Sequence, residues 1–338
     1  MISHKNAPLK RHNTFGIACK ASEIIELNDF NEVKELLSYI NEQPKELLIL
    51  GGGSNVLFTK DFDGIILLNN LKGISILSEN ASEVILRVAA GEIWHELVMY
   101  CVENGYAGME NLSLIPGKVG ASPMQNIGAY GVEVKDLITQ VNTIKLSDSS
   151  SHSFSNAECK FDYRSSIFKT SHKNQYLITS VDFRLSKLPS INTSYGAINS
   201  ELEARNISNP TIKDVSDAVI AIRSSKLPDP AKIGNAGSFF KNPVIDMQLA
   251  EKLKITFPTM PQYEVGENLR KLAAGWLIEQ CGWKGKTINN YGVHKLQALV
   301  LVNYSDATGQ QIFDLSSGII ESVKEKFGVL LEREVNII

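Results

Sequence analysis

Cysteine is scarce in this 338-residue sequence, and its spacing argues against a disulfide framework or a zinc site. Cys19, Cys101, Cys159 and Cys281 lie far apart and form no CxxC pair. The six histidines form no HExxH or comparable cluster, so no metal centre is expected. Dispersed cysteines of this kind favour a reducing compartment, which suggests the cytoplasm.

Long hydrophobic runs and an excess of basic charge are also absent. No uninterrupted apolar segment approaches the roughly 20 residues of a membrane span. The polar N-terminal sequence MISHKNAPLKRHNTFG lacks the apolar core of a signal peptide. Lys and Arg total 34 against 37 Asp and Glu, a net charge of −3, so no basic field recommends nucleic acid as a partner. We therefore expect a soluble cytoplasmic protein without a membrane or nucleic-acid partner.

The hydrophobic periodicity predicts helices and strands in mixed order, which favours an α+β fold over one doubly wound sheet. The length suggests about two domains, or three, at roughly 150 residues each. The predicted strands are 46–50, 64–68, 83–90, 177–185, 297–302 and 329–338. The predicted helices are 30–40, 93–105, 212–222, 271–281 and 310–327.

Two glycine-rich loops are candidates for ligand binding. The first, Gly51-Gly52-Gly53-Ser54-Asn55, follows a predicted buried strand, and its backbone N–H groups could hold an anion. It lacks the third glycine of GxGxxG, and a plain turn explains it about equally well. The second is IPGKVGASPMQNIGAYG at 115–131. Together the loops suit an extended ligand such as FAD, although the residues alone do not distinguish FAD from another dinucleotide.

A third irregular segment, KLPDPAKIGNAGSFFKNP at 226–243, carries the most information. Its prolines and glycines predict a defined but irregular path, since proline restricts φ and glycine permits positive φ. Along that path Ser238 stands between Gly237 and two phenylalanines. A long surface turn is the alternative reading, but it does not account for the serine in that setting. Irregular backbone with small donors is typical of a functional site.

Four segments, taken in order, resemble one family, UDP-N-acetylenolpyruvoylglucosamine reductase, also called UDP-N-acetylmuramate dehydrogenase. They are GGGSN at 51–55, the segments at 115–131 and 226–243, and LEREVNII at 331–338. The resemblance extends from Asn13 to the C-terminus and includes FDYRSSIFK at 161–169. The SYG sequence at 194–196 is similar to the substrate-covering tyrosine loop of the type I branch.

The resemblance implies an FAD-binding fold of the vanillyl-alcohol-oxidase type plus a smaller α+β substrate-binding domain. The expected FAD-binding subdomains are 1–72 and 73–225, and the expected substrate-binding domain is 226–338. The C-terminal strand could pack back on the first of these. The implied enzyme acts in peptidoglycan and cell-wall synthesis as a monomer. FAD receives hydride from NADPH and passes it to the enolpyruvyl group of the nucleotide sugar, giving UDP-N-acetylmuramate.

The resemblance also assigns residues to roles. Ser238 is the expected general acid, and Arg164 and Glu334 are expected to stabilise the enolate-like charge on the substrate. The expected cofactor-binding residues are Gly51, Gly52, Gly53, Ser54, Asn55, Ile115, Pro116, Ser122, Pro123, Gly128 and Arg223. The expected substrate-binding residues are Tyr130, Tyr195, Lys226, Asn242, Tyr263, Lys284 and Gln297.

Without the resemblance, the same residues have ordinary structural readings. Arg164 would be an ion-pair partner, Glu334 would lie on a solvated strand face, and His294 would be a satisfied structural histidine. Two other functions stay open at this stage. One is another FAD oxidoreductase or oxidase of the same fold, and the other is a non-catalytic nucleotide-sugar-binding protein.

Overall fold

A computed structural model describes residues 2–338 of the chain. These residues form seven α-helices and nineteen strands. The helices are α1 (Val33–Asn41), α2 (Trp94–Glu103), α3 (Gly196–Ala204), α4 (Ile212–Lys226), α5 (Met247–Thr256), α6 (Ala274–Gln280) and α7 (Gly309–Phe327). The strands are β1 (Ile2–Pro8), β2 (Lys20–Leu27), β3 (Glu46–Leu50), β4 (Val56–Leu57), β5 (Phe62–Asn69), β6 (Ile74–Glu79), β7 (Glu83–Ala89), β8 (Gly128–Ala129), β9 (Val132–Glu133), β10 (Ile138–Lys145), β11 (Ser151–Ser155), β12 (Tyr176–Ser186), β13 (Val244–Asp246), β14 (Gln262–Glu264), β15 (Leu269–Leu272), β16 (Thr287–Ile288), β17 (Tyr291–Val293), β18 (Leu301–Asn303) and β19 (Asn336–Ile337).

The chain folds into two compact units, each discontinuous in sequence. The first unit comprises the N-terminal stretch through Ala7, then Ala21–Gly52 and Asp63–Ser225. The second comprises Pro8–Lys20, Gly53–Phe62 and Lys226–Ile338. The division of the sequence into three domains remains a prediction.

A mixed sheet in the first unit carries the start of the glycine loop. Its order is β1-β2-β5-β3, and β3 runs parallel to β5. The apolar stripe of α1, from Val33 to Ile40, packs on this sheet, where it is buried with Ile65 and Leu67. Burial of each such side chain stabilises the fold by roughly 1.5–3 kcal/mol. The strand predicted at 46–50 is therefore confirmed as β3, which belongs to a sheet covered by the apolar side chains of α1.

The second sheet of this unit is antiparallel, in the order β11-β10-β12-β7-β6. Trp94 at the start of α2 is fully buried, and its ring meets that of Phe183 edge-on at 6.0 Å. Arg87 and Asp182 on neighbouring strands make a two-pronged ion pair with both N–O distances at 2.8 Å. Helices α3 and α4 share a separate apolar cluster. The elements predicted at 83–90, 177–185 and 212–222 are confirmed.

The second unit contains three small sheets and the long helix α7. The sheet orders are β13-β15-β14, β16-β17-β18 and β19-β4. Thr308 and Gln311 form a capping box at the start of α7, and Gly328 ends it in the left-handed conformation. The helix predicted at 310–327 is therefore confirmed almost to the residue.

Three predicted elements of this unit need correction. The expected strand at 329–338 shrinks to β19, because Arg333 instead makes a bridge to Phe240. The expected strand at 297–302 begins at Leu301, so Gln297 lies in the turn before it. The helix expected at 271–281 begins at Ala274, since the preceding residues belong to β15. Pairing with another segment overrides the local pattern in the first and third cases, whereas at Gln297 the chain forms a local turn.

Residues 2–338 contain neither a candidate membrane-spanning helix nor a candidate metal cluster. No helix in that range is both long and apolar enough to cross the hydrocarbon core of a bilayer. The same residues contain no group of three or more His, Cys, Asp or Glu side chains placed to hold a metal ion.

Candidate active site

The start of the first glycine loop meets the second glycine loop within the first unit. A Cβ placed on Gly52 would lie 3.1 Å from the Cα of Gly117, so the two backbones nearly touch. Gly51 lies against the side chain of Lys118, with an added Cβ 3.6 Å from its Cβ. The sequence suggested that both loops serve one ligand, and the close approach of their backbones is consistent with that suggestion.

The loops fit the requirements of a flat dinucleotide such as FAD. The Ser122 side chain is buried, and its hydroxyl oxygen has no hydrogen-bond partner among residues 2–338. A buried polar atom left in this way is expected to meet a ligand or a water. A Cβ on Gly120 would come within 2.6 Å of the Ala90 Cβ, so only glycine allows this packing. Pro116 is exposed, Ile115 is half-buried and Pro123 is buried.

Lys118 is a cation beside these loops that the sequence analysis missed. Its Nζ donates to the backbone oxygen of Asn69 at 2.8 Å and to the side-chain oxygen of Asn70 at 2.6 Å. Burial lowers its pKa, and the neighbouring Lys72 charge acts in the same direction. The lysine therefore ties the end of β5 to the second glycine loop. Its position next to a proline-glycine pair was the available sequence signal.

Arg164 lies against the second glycine loop. One of its guanidinium nitrogens donates to the Gly128 oxygen at 2.8 Å, and another approaches the Asn126 oxygen at 3.4 Å. The residue has a φ of 52°, unusual for an arginine, and its guanidinium lies 5.4 Å from the ring centre of Tyr163. The predicted catalytic cation and the predicted cofactor residue Gly128 are thus in direct contact.

The tyrosine loop also meets the second glycine loop. The rings of Tyr130 and Tyr195 lie edge-on with centres 5.2 Å apart, and Tyr195 is about half exposed. The Tyr130 hydroxyl lies close enough to Arg223 to affect its charge: burial lowers the pKa of Arg223, and the tyrosine acts in the opposite direction. Asn111, which the sequence analysis missed, donates its amide to the backbone oxygens of Tyr130 and Asn192 at 3.1 and 3.0 Å. A single buried side chain therefore joins the two loops.

In the second unit, Ser238 and Glu334 are carried on adjoining backbone segments. The N–H of Glu334 donates to the Phe239 oxygen at 2.8 Å, and the Phe239 N–H donates to the Leu299 oxygen at 2.8 Å. Phe239 is fully buried whereas Ser238 is exposed, and Gly237 before it has a φ of 69°. The irregular segment thus anchors its phenylalanine in the core and presents its serine outward.

The rest of the first glycine loop belongs to this unit and contacts the same C-terminal segment. The Asn55 amide donates to the Glu334 backbone oxygen at 3.3 Å, and the Asn336 N–H donates to the Asn55 oxygen at 3.1 Å. A Cβ on Gly53 would lie 2.0 Å from the backbone oxygen of His12, so a side chain is sterically excluded there. Ser54, the next residue, is half-buried.

Two predicted substrate residues lie at the first turn of α6. The Asn242 side-chain oxygen accepts the N–H of Ala274 at 2.9 Å, so it caps this helix from a distant segment. A Cβ on Gly275 would lie 3.3 Å from the side-chain oxygen of Gln297, which also accepts the N–H of Leu299 at 3.3 Å. The structure therefore brings Asn242 and Gln297 to the same helix end.

The predicted substrate residues outside these two pairs are Tyr263, Lys226 and Lys284, each in a different part of the fold. Tyr263 is about half exposed on β14, opposite Lys271 on β15. Lys226 is exposed at the last position of α4. Lys284 is ion-paired, with its Nζ 3.0 Å from each carboxylate oxygen of Glu279. An anionic substrate group would have to share that lysine with the carboxylate.

His294 and Ser238 are both paired with the backbone of Val300. The His294 N–H donates to the Val300 oxygen at 2.8 Å, and Val300 forms an antiparallel bridge with Ser238. The imidazole is buried, and its Nδ1 has no hydrogen-bond partner within residues 2–338. Burial lowers its pKa, as does the Lys295 charge, so the neutral ring is favoured. His294 directly follows β17 and precedes the turn that contains Gln297.

Comparison with known proteins supports both units. A family model of the FAD binding domain matches residues 21–152. A second model, the C-terminal domain of UDP-N-acetylenolpyruvoylglucosamine reductase, matches residues 229–338. The crystal structure of UDP-N-acetylenolpyruvylglucosamine reductase from Thermus caldophilus superposes with a TM-score of 0.67 at 21% identity, covering 99% of this chain and 98% of that one. This likeness shows the fold.

Curated sequences are much more similar. The UDP-N-acetylenolpyruvoylglucosamine reductase of Flavobacterium johnsoniae is 51% identical over 339 residues, with 100% of both chains covered. Proteins of the same name from Amoebophilus asiaticus and Chromobacterium violaceum are 48% and 49% identical, covering 100% and 96% of this chain and the same shares of their own length.

The α+β fold, the FAD-binding domain and the paired glycine loops define the class as a flavin-dependent oxidoreductase. Sequence identity of about one half to the curated reductases, over nearly the full length of both chains, then identifies the family. This chain belongs to the UDP-N-acetylenolpyruvoylglucosamine reductase family, whose members are flavoproteins of peptidoglycan synthesis. The predicted family and fold class are confirmed.

Proposed function

We propose that this chain uses NADPH to reduce the enolpyruvyl group of UDP-N-acetylenolpyruvoylglucosamine, producing UDP-N-acetylmuramate. The observation that carries the proposal is the 51% identity over the complete length to a reductase of that name. The placement of Ser238 and Glu334 on adjoining segments supports it independently, because the proposed reaction needs an acid and a charge-stabilising group together. The dispersed free cysteines suit a reducing cytoplasm, where we propose that the chain works as a monomer.

FAD would supply the hydride that it receives from NADPH. The proposed FAD-binding residues are Gly51, Gly52, Gly53, Ser54, Asn55, Ile115, Pro116, Ser122, Pro123, Gly128 and Arg223. The proposed substrate-binding residues are Tyr130, Tyr195, Lys226, Asn242, Tyr263, Lys284 and Gln297. Gln297 and Asn242 lie at the same end of α6, and the rings of Tyr130 and Tyr195 are in contact. Two pairs of the proposed substrate-binding residues therefore lie close together.

Hydride addition to the methylene carbon of the enolpyruvyl group leaves negative charge on the neighbouring carbon, and this charge spreads into the adjacent carboxylate of the substrate. Arg164 would stabilise this charge through its planar, positively charged guanidinium. Its anchoring to the Gly128 oxygen supports a fixed orientation. Glu334 would assist through its carboxyl group, hydrogen-bonded to the substrate carboxylate or enolate.

Ser238 would complete the reduction by giving its hydroxyl proton to the neighbouring carbon. A serine hydroxyl is a weak acid, so it needs a strongly basic acceptor, and an enolate-type carbon is one. Anchoring of Phe239 in the core limits the freedom of the serine beside it. An exposed hydroxyl on a fixed backbone can meet a substrate without displacing a protein partner.

The test is an anaerobic two-step titration of the purified yellow protein. NADPH alone should bleach the flavin absorbance, and UDP-N-acetylenolpyruvoylglucosamine should then restore it in equal amount. Product identity is checked by mass spectrometry. Bleaching without recovery would reject the substrate. Recovery with oxygen alone would point to an oxidase of this fold, and a colourless protein that binds the nucleotide sugar would point to a non-catalytic binding protein.

A further inference from the structure

Leu114 has a backbone conformation that its side chain disfavours. Its φ is 58°, in the left-handed region that glycine adopts without steric cost and in which a leucine is strained. The residue immediately precedes Ile115-Pro116-Gly117, the start of the second glycine loop. A strained conformation persists only when surrounding contacts enforce it, and such residues cluster at functional sites.

Two side chains from two helices hold the Leu114 peptide groups. The Leu114 N–H donates to Nδ1 of His95 on α2 at 3.0 Å. The Leu114 carbonyl accepts from Nε of Arg223 on α4 at 3.3 Å. His95 lies nineteen positions earlier in the sequence and Arg223 more than a hundred later, so neither contact is local.

The first turn of α2 holds the same loop at two further points. The Trp94 indole N–H donates to the Leu112 oxygen at 2.9 Å, and the Trp94 backbone N–H donates to the Gly117 oxygen at 3.0 Å. Leu114 lies between these two attachments. The His95 bond is the only one of the three made by a group that titrates near neutral pH.

Acceptance of the Leu114 N–H requires an unprotonated Nδ1. Burial lowers the pKa of His95 below its ordinary value of 6.5, and the neighbouring Arg223 cation lowers it further. Glu96, on the same helix, acts in the opposite direction as the smallest influence. The Tyr130 hydroxyl faces Arg223 from the glycine loop itself. The surroundings thus keep the imidazole neutral at physiological pH.

We propose that His95 is a positioning residue for the cofactor: its neutral imidazole, together with Arg223, holds Leu114 in the left-handed conformation and so places the 115–117 loop for FAD. The proposal rests on the use of FAD by this chain. When Nδ1 gains a proton it can no longer accept, the Leu114 N–H loses its partner, and the loop relaxes. FAD retention should therefore fall as pH drops through the titration of His95, below 6.5.

The test measures FAD release from the purified holoenzyme after dilution, followed by the rise in flavin fluorescence between pH 5 and 8. His95→Asn keeps an acceptor oxygen near the Nδ1 position but cannot titrate, whereas His95→Leu removes the acceptor. His152→Leu, at an exposed histidine whose ring meets that of Tyr176 edge-on, is the matched control.

His95→Leu should release FAD about tenfold faster than wild type at pH 7.5, because the partly buried Leu114 N–H loses its partner. His95→Asn should stay within about threefold of wild type at pH 7.5, since it retains an acceptor. Both variants should lose the acceleration of FAD release below pH 6.5 that we expect of wild type and His152→Leu.

An unchanged release rate in His95→Leu, or a wild-type acid response in His95→Asn, overturns the proposal. If His95→Leu does not fold, the pH profile of His95→Asn decides alone. A wild-type protein that never retains FAD would instead reject the proposed function, so the two failures are distinct.

Discussion

The backbone N–H of Glu334 donates to the carbonyl oxygen of Phe239, with the two atoms 2.8 Å apart. This bond fixes the C-terminal segment beside the residue that follows Ser238. A second bond, from the Asn55 amide to the Glu334 oxygen, attaches the same segment to the glycine loop. The proposed acid and the proposed carboxyl group therefore owe their proximity to main-chain pairing across nearly a hundred residues of sequence.

Replacement of Ser238 by alanine should separate the two half-reactions. The variant should retain FAD and accept hydride from NADPH at the wild-type rate, because the serine only protonates the substrate carbon. Reoxidation by the nucleotide sugar should slow by roughly 10²–10⁴-fold, the usual range for loss of a general acid. Stopped-flow absorbance resolves the two steps. Wild-type reoxidation would exclude Ser238 as the acid.

Arg164→Lys should impair the same half-reaction for a different reason. Lysine keeps the charge but loses the planar fork that can bind a carboxylate and the Gly128 oxygen together. Reoxidation should fall by roughly 10²-fold, as when one charge-stabilising donor is removed. Arg184→Lys, at an exposed strand position 3.7 Å from Glu83, is the control and should change neither half-reaction. Equal kinetics in the two variants would contradict the assignment.

Gly52→Ala should weaken FAD binding. The added methyl group would lie 3.1 Å from the Gly117 Cα, and this neighbour is backbone that cannot swing aside. Overpacking of this kind costs about 1–3 kcal/mol, so the FAD dissociation constant should rise by about 5- to 150-fold. Fluorescence titration gives the constant.

Gly318→Ala is the matched control for that experiment. Its added methyl group would make ordinary contact with Trp283 at 3.8 Å in the interior of α7. It should raise the free energy of unfolding by about 0.5–1 kcal/mol, since alanine favours the helix, and leave FAD affinity unchanged. Unaltered FAD binding in Gly52→Ala would show that the loops can separate without cost.

The four cysteines should differ sharply in alkylation. Burial raises the pKa of the Cys101 and Cys159 thiols to about 12 and that of Cys19 to about 11, so almost no thiolate forms at pH 8. Cys281 is only half-buried, and burial raises its pKa less. Peptide mass spectrometry after iodoacetamide treatment should find Cys281 modified first. Labelling of Cys101 in the folded protein at the same rate would contradict the buried placement.

Local pattern predicted the elements whose sequence contains its own start and stop signals. Helix α7 is the clearest case, because Thr308 and Gln311 cap its beginning and Gly328 ends it. The strand-loop sequence at 46–55 is similar, since a buried strand leads directly into glycines. The resemblance carried by short segments identified the family, which the full-length comparison confirmed.

Local sequence patterns established the mixed order of helices and strands and supplied the set of chemically able residues. Which of those residues meet depends on contacts made in the folded chain. The tertiary structure shortened the C-terminal strand by pairing Arg333 with Phe240, and it placed Gln297 in a turn. It also imposed a left-handed conformation on Leu114 through His95 and Arg223. Local preference opposes that conformation, so only contacts between residues distant in sequence could select it.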